Sequence, residues 1–242
     1  MERLTDHVVR LGTWIVNWYL LADDEGVTVI DGAVPAYSRQ LEPGLAELGR
    51  SLDDVKAIVL THAHADHVGV VRKLQARLGI PVYVHRADRD LATTAKSFGR
   101  NDGSMLPYLR RPMTYRLLFE LGRNGGMIPQ KIENVTVFDD GDELPVPGRP
   151  HAIHSPGHTD GHTSFVAGDV LFAGDALCTL NPLTGERGPQ LMPSAFNRST
   201  EQALASLDNL GGTHASLLVP GHGDPVREPN GAIGQARSRG AT

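Results

Sequence analysis

Hydrophobic positions along this chain follow two rhythms. Short apolar runs rich in β-branched and aromatic residues predict strands at Trp14–Ala22 (WIVNWYLLA), Val27–Ile30, Ala57–Leu60 (AIVL), Pro81–His85, Val135–Phe138, Ala152–His154, Thr163–Ala167, Val170–Ala173 and Leu217–Val219. The first two are separated by Asp23-Asp24-Glu25-Gly26, a hairpin signal. Leu41, Leu45 and Leu48 keep helical spacing. So do Val68, Val71, Leu74 and Leu78, until Gly79 stops the helix. Ser199-Thr200-Glu201-Gln202 has the spacing of a capping box and opens another helix.

Residues 86–131 break this pattern. Leu106, Leu109, Met113, Leu117, Phe119 and Leu121 give them helical apolar faces. The segment carries nine basic residues (Arg86, Arg89, Lys96, Arg100, Arg110, Arg111, Arg116, Arg123, Lys131) against four acidic ones, in a chain whose net charge is −5. It reads as a basic helical insertion in one domain spanning 1–242. Strands, helices, then strands and helices again predict an α/β fold: two mixed sheets packed face to face with helices outside.

Composition narrows the classes. At 242 residues with 40% apolar and 21% charged positions, the chain can bury a full core and is not a disordered type. The negative net charge argues against a nucleic-acid partner. One cysteine, Cys178, excludes an internal disulfide framework and is read mainly as a small buried hydrophobe. The start, MERLTDHVVR, has no apolar signal region and no apolar run is long enough to cross a membrane. A cytoplasmic protein with no membrane partner is the expectation.

The chemistry concentrates at His62-Ala63-His64-Ala65-Asp66-His67, directly after the AIVL strand. In extended chain, His62 and His64 point to one side, while Asp66 and His67 fall where the chain turns into a helix. Neutral imidazoles with a carboxylate suit Zn²⁺, and also Fe or Mn. Three further positions share the setting of a ligand-type residue beside glycine just past an apolar strand: His158, Asp175 and His222. Each is weak alone. His7, His85, His151 and His214 lack partner spacing, and Ser155-Pro156 carries the chain away after His154.

Taken in order, His62-x-His64-x-Asp66-His67, His158, Asp175 and His222 resemble the ligand set of the metallo-β-lactamase superfamily. The resemblance implies a four-layer αβ/βα sandwich. It implies one Zn²⁺ held by His62, His64 and His158, a second held by Asp66, His67 and His222, and Asp175 bridging both. Asp31, in Asp31-Gly32, matches the family's first motif, where a carboxylate supports the site; an ordinary turn residue is the equal alternative. The chain is similar to the glyoxalase II-like branch, and with about twenty residues after His222 the expectation is a fold without that branch's C-terminal glutathione-binding domain.

Two cations sharing a water bring its pKa near neutrality, which yields a hydroxide nucleophile. The expected reaction is hydrolysis of an ester, thioester, lactone or amide of a small molecule, with Asp66 as catalytic residue orienting the water or relaying its proton. Asp175 argues against lactam hydrolysis, and Cys178 stands where quorum-sensing lactonases carry a tyrosine. One alternative is a mononuclear iron persulfide dioxygenase using His62, His158 and Asp175, whose branch is similar over Thr61–His67 and Pro156–Gly161. Another is a metal-binding protein without turnover. The basic segment is either a lid attracting an anionic substrate such as an acyl-CoA or a homodimer interface.

Overall fold

The computed structural model describes residues 1–96 and 101–241; residues 97–100, with Arg100 of the basic segment, and Thr242 lie outside the described residues. One sheet runs in chain order through β1 (Glu2–Arg3), β2 (Val8–Gly12), β3 (Asn17–Asp23), β4 (Gly26–Ile30), β5 (Val55–Val59), β6 (Val82–His85) and β7 (Thr136–Phe138). It is antiparallel as far as β4 and parallel from β4 to β7. The second sheet contains β8 (His151–His154), β9 (Thr163–Ala167), β10 (Val170–Gly174), β13 (Leu217–Pro220) and β14 (Val226–Arg227), in the order β14-β13-β10-β9-β8. A separate ribbon joins β11 (Cys178–Leu180) to β12 (Arg187–Gln190).

Alternation within the strands sorts side chains into three cores, and three cores make four layers. Trp18, Leu20, Val27 and Val29 face α1 (Leu41–Glu47) and α2 (Val71–Leu78) through Leu41, Leu45, Val71 and Leu74. Their strand neighbours Tyr19, Leu21 and Ile30 face the other sheet and meet Phe165, Val170, Phe172 and Val219. The far side of that sheet, Leu171, Ala173 and Leu218, packs on α5 (Thr200–Leu210) and α6 (Pro229–Arg239). The period of 2 thus places each large side chain on one core or the next, at about 1.5–3 kcal/mol per side chain buried. The expected sandwich is the one observed.

Several boundaries differ from the sequence expectation. The first strong strand begins at Asn17, not Trp14, because Asn17 turns toward the other sheet: its N–H donates to Gly221 O at 2.7 Å and its amide to Pro220 O at 3.0 Å. The second helix begins at Val71, since Gly69 N is drawn to Ala33 O at 2.6 Å; it ends at Gly79 in the left-handed region (φ 66°). Strands β1, β2, β11, β12 and β14, short and mixed in polarity, lie outside the segments that the apolar pattern predicts. The basic segment is helical only in part: α3 (Arg89–Thr94), a short 3₁₀ turn at Leu106–Arg110, and α4 (Pro112–Arg123). Leu106, Tyr115, Phe119 and Ile128 of this segment are exposed.

The two sheets also meet through histidines. His85 at the end of β6 stacks on His154 at the end of β8, with ring centroids 4.1 Å apart and planes 10° from parallel. Burial, then the neighbouring His154, push the His85 pKa down to about 4 from 6.5, and Nδ1 accepts from Ala87 N. Between these values the unfolded chain binds a proton that the folded chain does not. The contribution is therefore complete above pH 6.5 and is lost as pH falls toward 4. His85→Asn, which keeps an acceptor and cannot titrate, should lose less Tm than the parent between about pH 7 and 5; equal losses by circular dichroism would contradict the assignment. In the inter-sheet core, Phe165→Ala should cost about 3–5 kcal/mol in urea unfolding, whereas Leu106→Ser on the surface should change stability by less than about 0.5 kcal/mol.

Candidate metal centre

Strands β8, β10 and β13 run in the same direction, and their C-terminal ends meet the end of β5 from the other sheet. The chain leaves β5 into His62–His67, β8 into the turn with His158, β10 into Asp175, and β13 into His222. Glycine is required at two of these exits. Gly174 has φ 52°, and a Cβ there would lie 2.7 Å from His162 Nε2. At Gly221 a Cβ would lie 2.1 Å from Asp175 Oδ1.

All seven expected ligand residues converge. His62, His64 and His158 offer ligand atoms within 4.8 Å of one another, as do Asp66, His67 and His222, and also His62, His67 and Asp175. Asp175 Oδ2 is central: His222 Nε2 lies at 3.2 Å, His158 Nε2 at 3.3 Å, His67 Nε2 at 3.6 Å and His62 Nε2 at 4.0 Å. Asp66 Oδ2 stands 3.6 Å from His222 Nε2 and 4.0 Å from His67 Nε2. His64 Nδ1 and His158 Nε2 are 2.9 Å apart.

Four of the five rings are held from behind through Nδ1. The partners are Thr61 Oγ1 for His62 (3.0 Å), Asp31 Oδ2 for His67 (3.0 Å), Asn197 Oδ1 for His158 (3.1 Å) and Ile15 O for His222. Each arrangement leaves Nε2 facing inward, the orientation second-layer bonds impose on ligating histidines. His62 Nε2, His67 Nε2 and Asp175 Oδ1 are buried without any hydrogen-bond partner. A buried unpaired polar atom costs roughly 1–3 kcal/mol, so three together fit residues shaped around cations.

Electrostatics point the same way. Burial, reinforced by neighbouring imidazoles, holds His62 well below its usual pKa; burial also outweighs Asp175 and holds His158 low. At His67 burial is overcome by Asp175, Asp66 and Asp31, which raise the pKa. Burial would raise Asp175, but His222 and His67 outweigh it and hold the carboxyl well below the carboxylate range. Burial holds His64 low as well, while at His222, as at His67, Asp175 overcomes burial and raises the pKa. The cluster thus sets an ionised buried carboxylate among three rings held neutral and two drawn to the carboxylates, a donor set that a divalent cation can replace protons in.

The Asp31 carboxylate also accepts from Thr61 N and Thr61 Oγ1, both at 2.8 Å, and so ties the end of β4 to the ligand loop. Sequence reasoning missed three supporting residues. His162, driven down to about 3 by burial, accepts from Asp175 N at 2.8 Å. Asn197 holds His158. Asp88, buried, accepts from Thr159 Oγ1 and Gly161 N at 2.8 Å and from Ala63 N at 3.3 Å, joining the loops that carry His158 and His62. His162 could have been noticed four residues after His158; Asp88 and Asn197 have no local signal. His154 stays outside the cluster, bonded to Asp160 O, and Cys178 is a buried thiol whose pKa burial raises.

The family model of the metallo-beta-lactamase superfamily matches residues 11–222. The chain belongs to the metallo-β-lactamase superfamily. Among its superfamily relatives, the probable metallo-hydrolase YflN of Bacillus subtilis is 30% identical over 187 residues, covering 73% of this chain and 67% of that protein. A hydroxyacylglutathione hydrolase of Xylella fastidiosa is 29% identical over 200 residues, 80% of this chain and 53% of its own length. A solved superfamily structure, TTHA1429 from Thermus thermophilus, matches with TM-score 0.67 at 28% identity, covering 98% of this chain and 80% of that one. The subclass B3 metallo-beta-lactamase BJP-1 of Bradyrhizobium japonicum shares the fold at 20% identity (TM-score 0.67; 98% and 89% covered). Asp88→Ala should weaken metal retention about 10- to 100-fold, and Asp88→Asn less, in competition with a chromophoric chelator. Parental affinity in both variants would show that Asp88 does not position the loops.

Proposed function

We propose that this chain is a dinuclear metal-dependent hydrolase that cleaves an ester, thioester or lactone bond of a small molecule. The observation that carries it is the pair of donor triads flanking Asp175, with three buried donor atoms left unpaired. His62, His64 and His158 would hold one cation, Asp66, His67 and His222 the other, and Asp175 would lie between them. Zn²⁺ suits this donor set, and Fe or Mn are compatible with it. Such cations acidify water and polarise a carbonyl oxygen.

The chain's own residues account for the rest. His64 and Asp66 are the donors with appreciable exposure, so the centre opens on their side. A carbonyl approaching there meets Asp66 at the floor of the cavity, where its carboxylate can orient a water and take its proton. The Nδ1 partners keep the other rings from turning, which limits reorganisation during reaction. Single-iron persulfide chemistry at His62, His158 and Asp175, with Asp66, His67 and His222 unmetallated, is the alternative the same donors allow; hydrolysis is preferred because relatives of this chain are named as hydrolases. No helix among the described residues is long and apolar enough to cross a membrane. A cytoplasmic location is part of the proposal, in keeping with the single buried cysteine.

Protein purified without added metal should contain about two zinc per chain and hydrolyse members of an ester, thioester and lactone panel. One iron with oxygen consumption on glutathione persulfide would overturn this reading. Asp66→Ala should lower kcat at least about 10²-fold with an unchanged circular dichroism spectrum; near-parental turnover would remove Asp66 from the mechanism.

A further inference from the structure

The cavity above the metal centre has a volume of about 240 Å³ and is bounded on one side by His64, Asp66, His158, Asp175 and His222. Its other walls are apolar. Leu117 and Leu121, one turn apart on α4, face inward together, and Gly126, Pro182, Met192 and Phe196 complete the enclosure. Gly126 lets the turn after α4 settle close: a Cβ there would lie 2.6 Å from Val34 Cγ1 and 2.9 Å from Leu121 Cδ2.

Two arginines of α4 are engaged away from the cavity. Arg116 lies over the Trp14 ring at 4.6 Å, and Arg123 pairs with Glu120 at 3.7 Å. No Lys or Arg is found among the described residues lining the cavity, and the one polar lining residue outside the donor set is Asn101, whose amide donates to Ala195 O at 2.7 Å. An anionic group buried against these walls would lose its water without gaining a partner, which is unfavourable by several kcal/mol. An alkyl group would gain from the same walls.

We propose that the substrate carries an apolar acyl chain of medium length, seated against Leu117, Leu121, Met192 and Phe196, with its carbonyl carbon at the Asp66 side of the centre. This rests on the hydrolytic reading of the site. A methylene is about as large as a water's share of liquid volume, about 30 Å³, so the cavity holds roughly eight heavy atoms. The α4 segment is then a specificity wall for the acyl group, not an electrostatic funnel for an anion.

The test uses the full, zinc-loaded chain with p-nitrophenyl esters of straight-chain acids from C2 to C12, and with esters of the same lengths ending in a carboxylate. The chain-length preference should rise about fourfold in kcat/KM per methylene up to about C8 and then level off. Carboxylate-ended esters should be at least about tenfold poorer than methyl-ended ones of equal length. Leu121→Ser and Phe196→Ala should each flatten the dependence, and both side chains are half-buried, so the two variants check one another against misfolding. A flat dependence, or equal use of carboxylate-ended esters, overturns the acyl inference while turnover itself upholds the hydrolase. If no ester, thioester or lactone is hydrolysed, the hydrolytic reading fails, and calorimetric binding of C2 to C10 carboxylic acids then decides the pocket: affinity rising with length supports it, and length-independent affinity overturns it.

Discussion

The Asp175 carboxylate lies buried among four imidazole nitrogens at 3.2–4.0 Å, and the rest of the molecule is organised around the cost of keeping it there. A charge taken out of water needs partners, and rings crowded together need their outward nitrogens satisfied. Each Nδ1 partner comes from a different part of the fold: Thr61 after β5, Asp31 after β4, Asn197 before α5, and Ile15 before β3. The site is therefore where both sheets end and where their loops are tied. Asn17 and Tyr19 reach across to the Pro220–Gly223 turn in the same manner, from sheet one to sheet two.

The sandwich supplies rigidity for this arrangement. Ligands issue from the ends of strands whose side chains fill three separate cores, so none of the four exits can shift without disturbing packed layers. Asp88 and His162 add a second restraint by fastening loop backbone to loop backbone: Ala63 to Gly161, and Asp175 to the Ser155 turn. What remains adjustable is the wall opposite the donors. It is built from α4 and the 182–196 segment, which contribute apolar side chains and no ligand. The donors thus sit on strand ends, and the wall that faces them on α4 and the 182–196 segment.

Much of this was legible in the residues themselves. Short, almost wholly apolar runs such as Val27–Ile30 and Val170–Ala173 announce strands with two dry faces, and the sandwich follows from having many of them. Three histidines and an aspartate within six residues announce metal, because imidazole and carboxylate at that density beside a buried strand have no simpler explanation. His158, Asp175 and His222 were found through glycine turns after apolar strands, a signal that is local because the strand, the turn and the ligand are contiguous. Where the local signal was weak, the boundaries slipped. Trp14–Val16 are as apolar as the strand that follows, yet they leave the sheet because Asn17 and His222 hold that stretch to another loop.

The sequence by itself therefore determined the two sheets with helices outside and the family to which the His and Asp motifs belong, since each depends on residues adjacent in the chain. Only the tertiary structure decided that Asp88, Asn197 and His162 secure the donor loops, and that α4 presents Leu117 and Leu121 to the centre. The supporting contacts join residues 71, 39 and 13 positions apart, and the choice of leucine over arginine depends on which helix face turns inward. Charge counted along a segment does not say where each side chain points. Arg116 is drawn to Trp14 and Leu117, its neighbour, to the cavity, because one residue along a helix is a turn of about 100°.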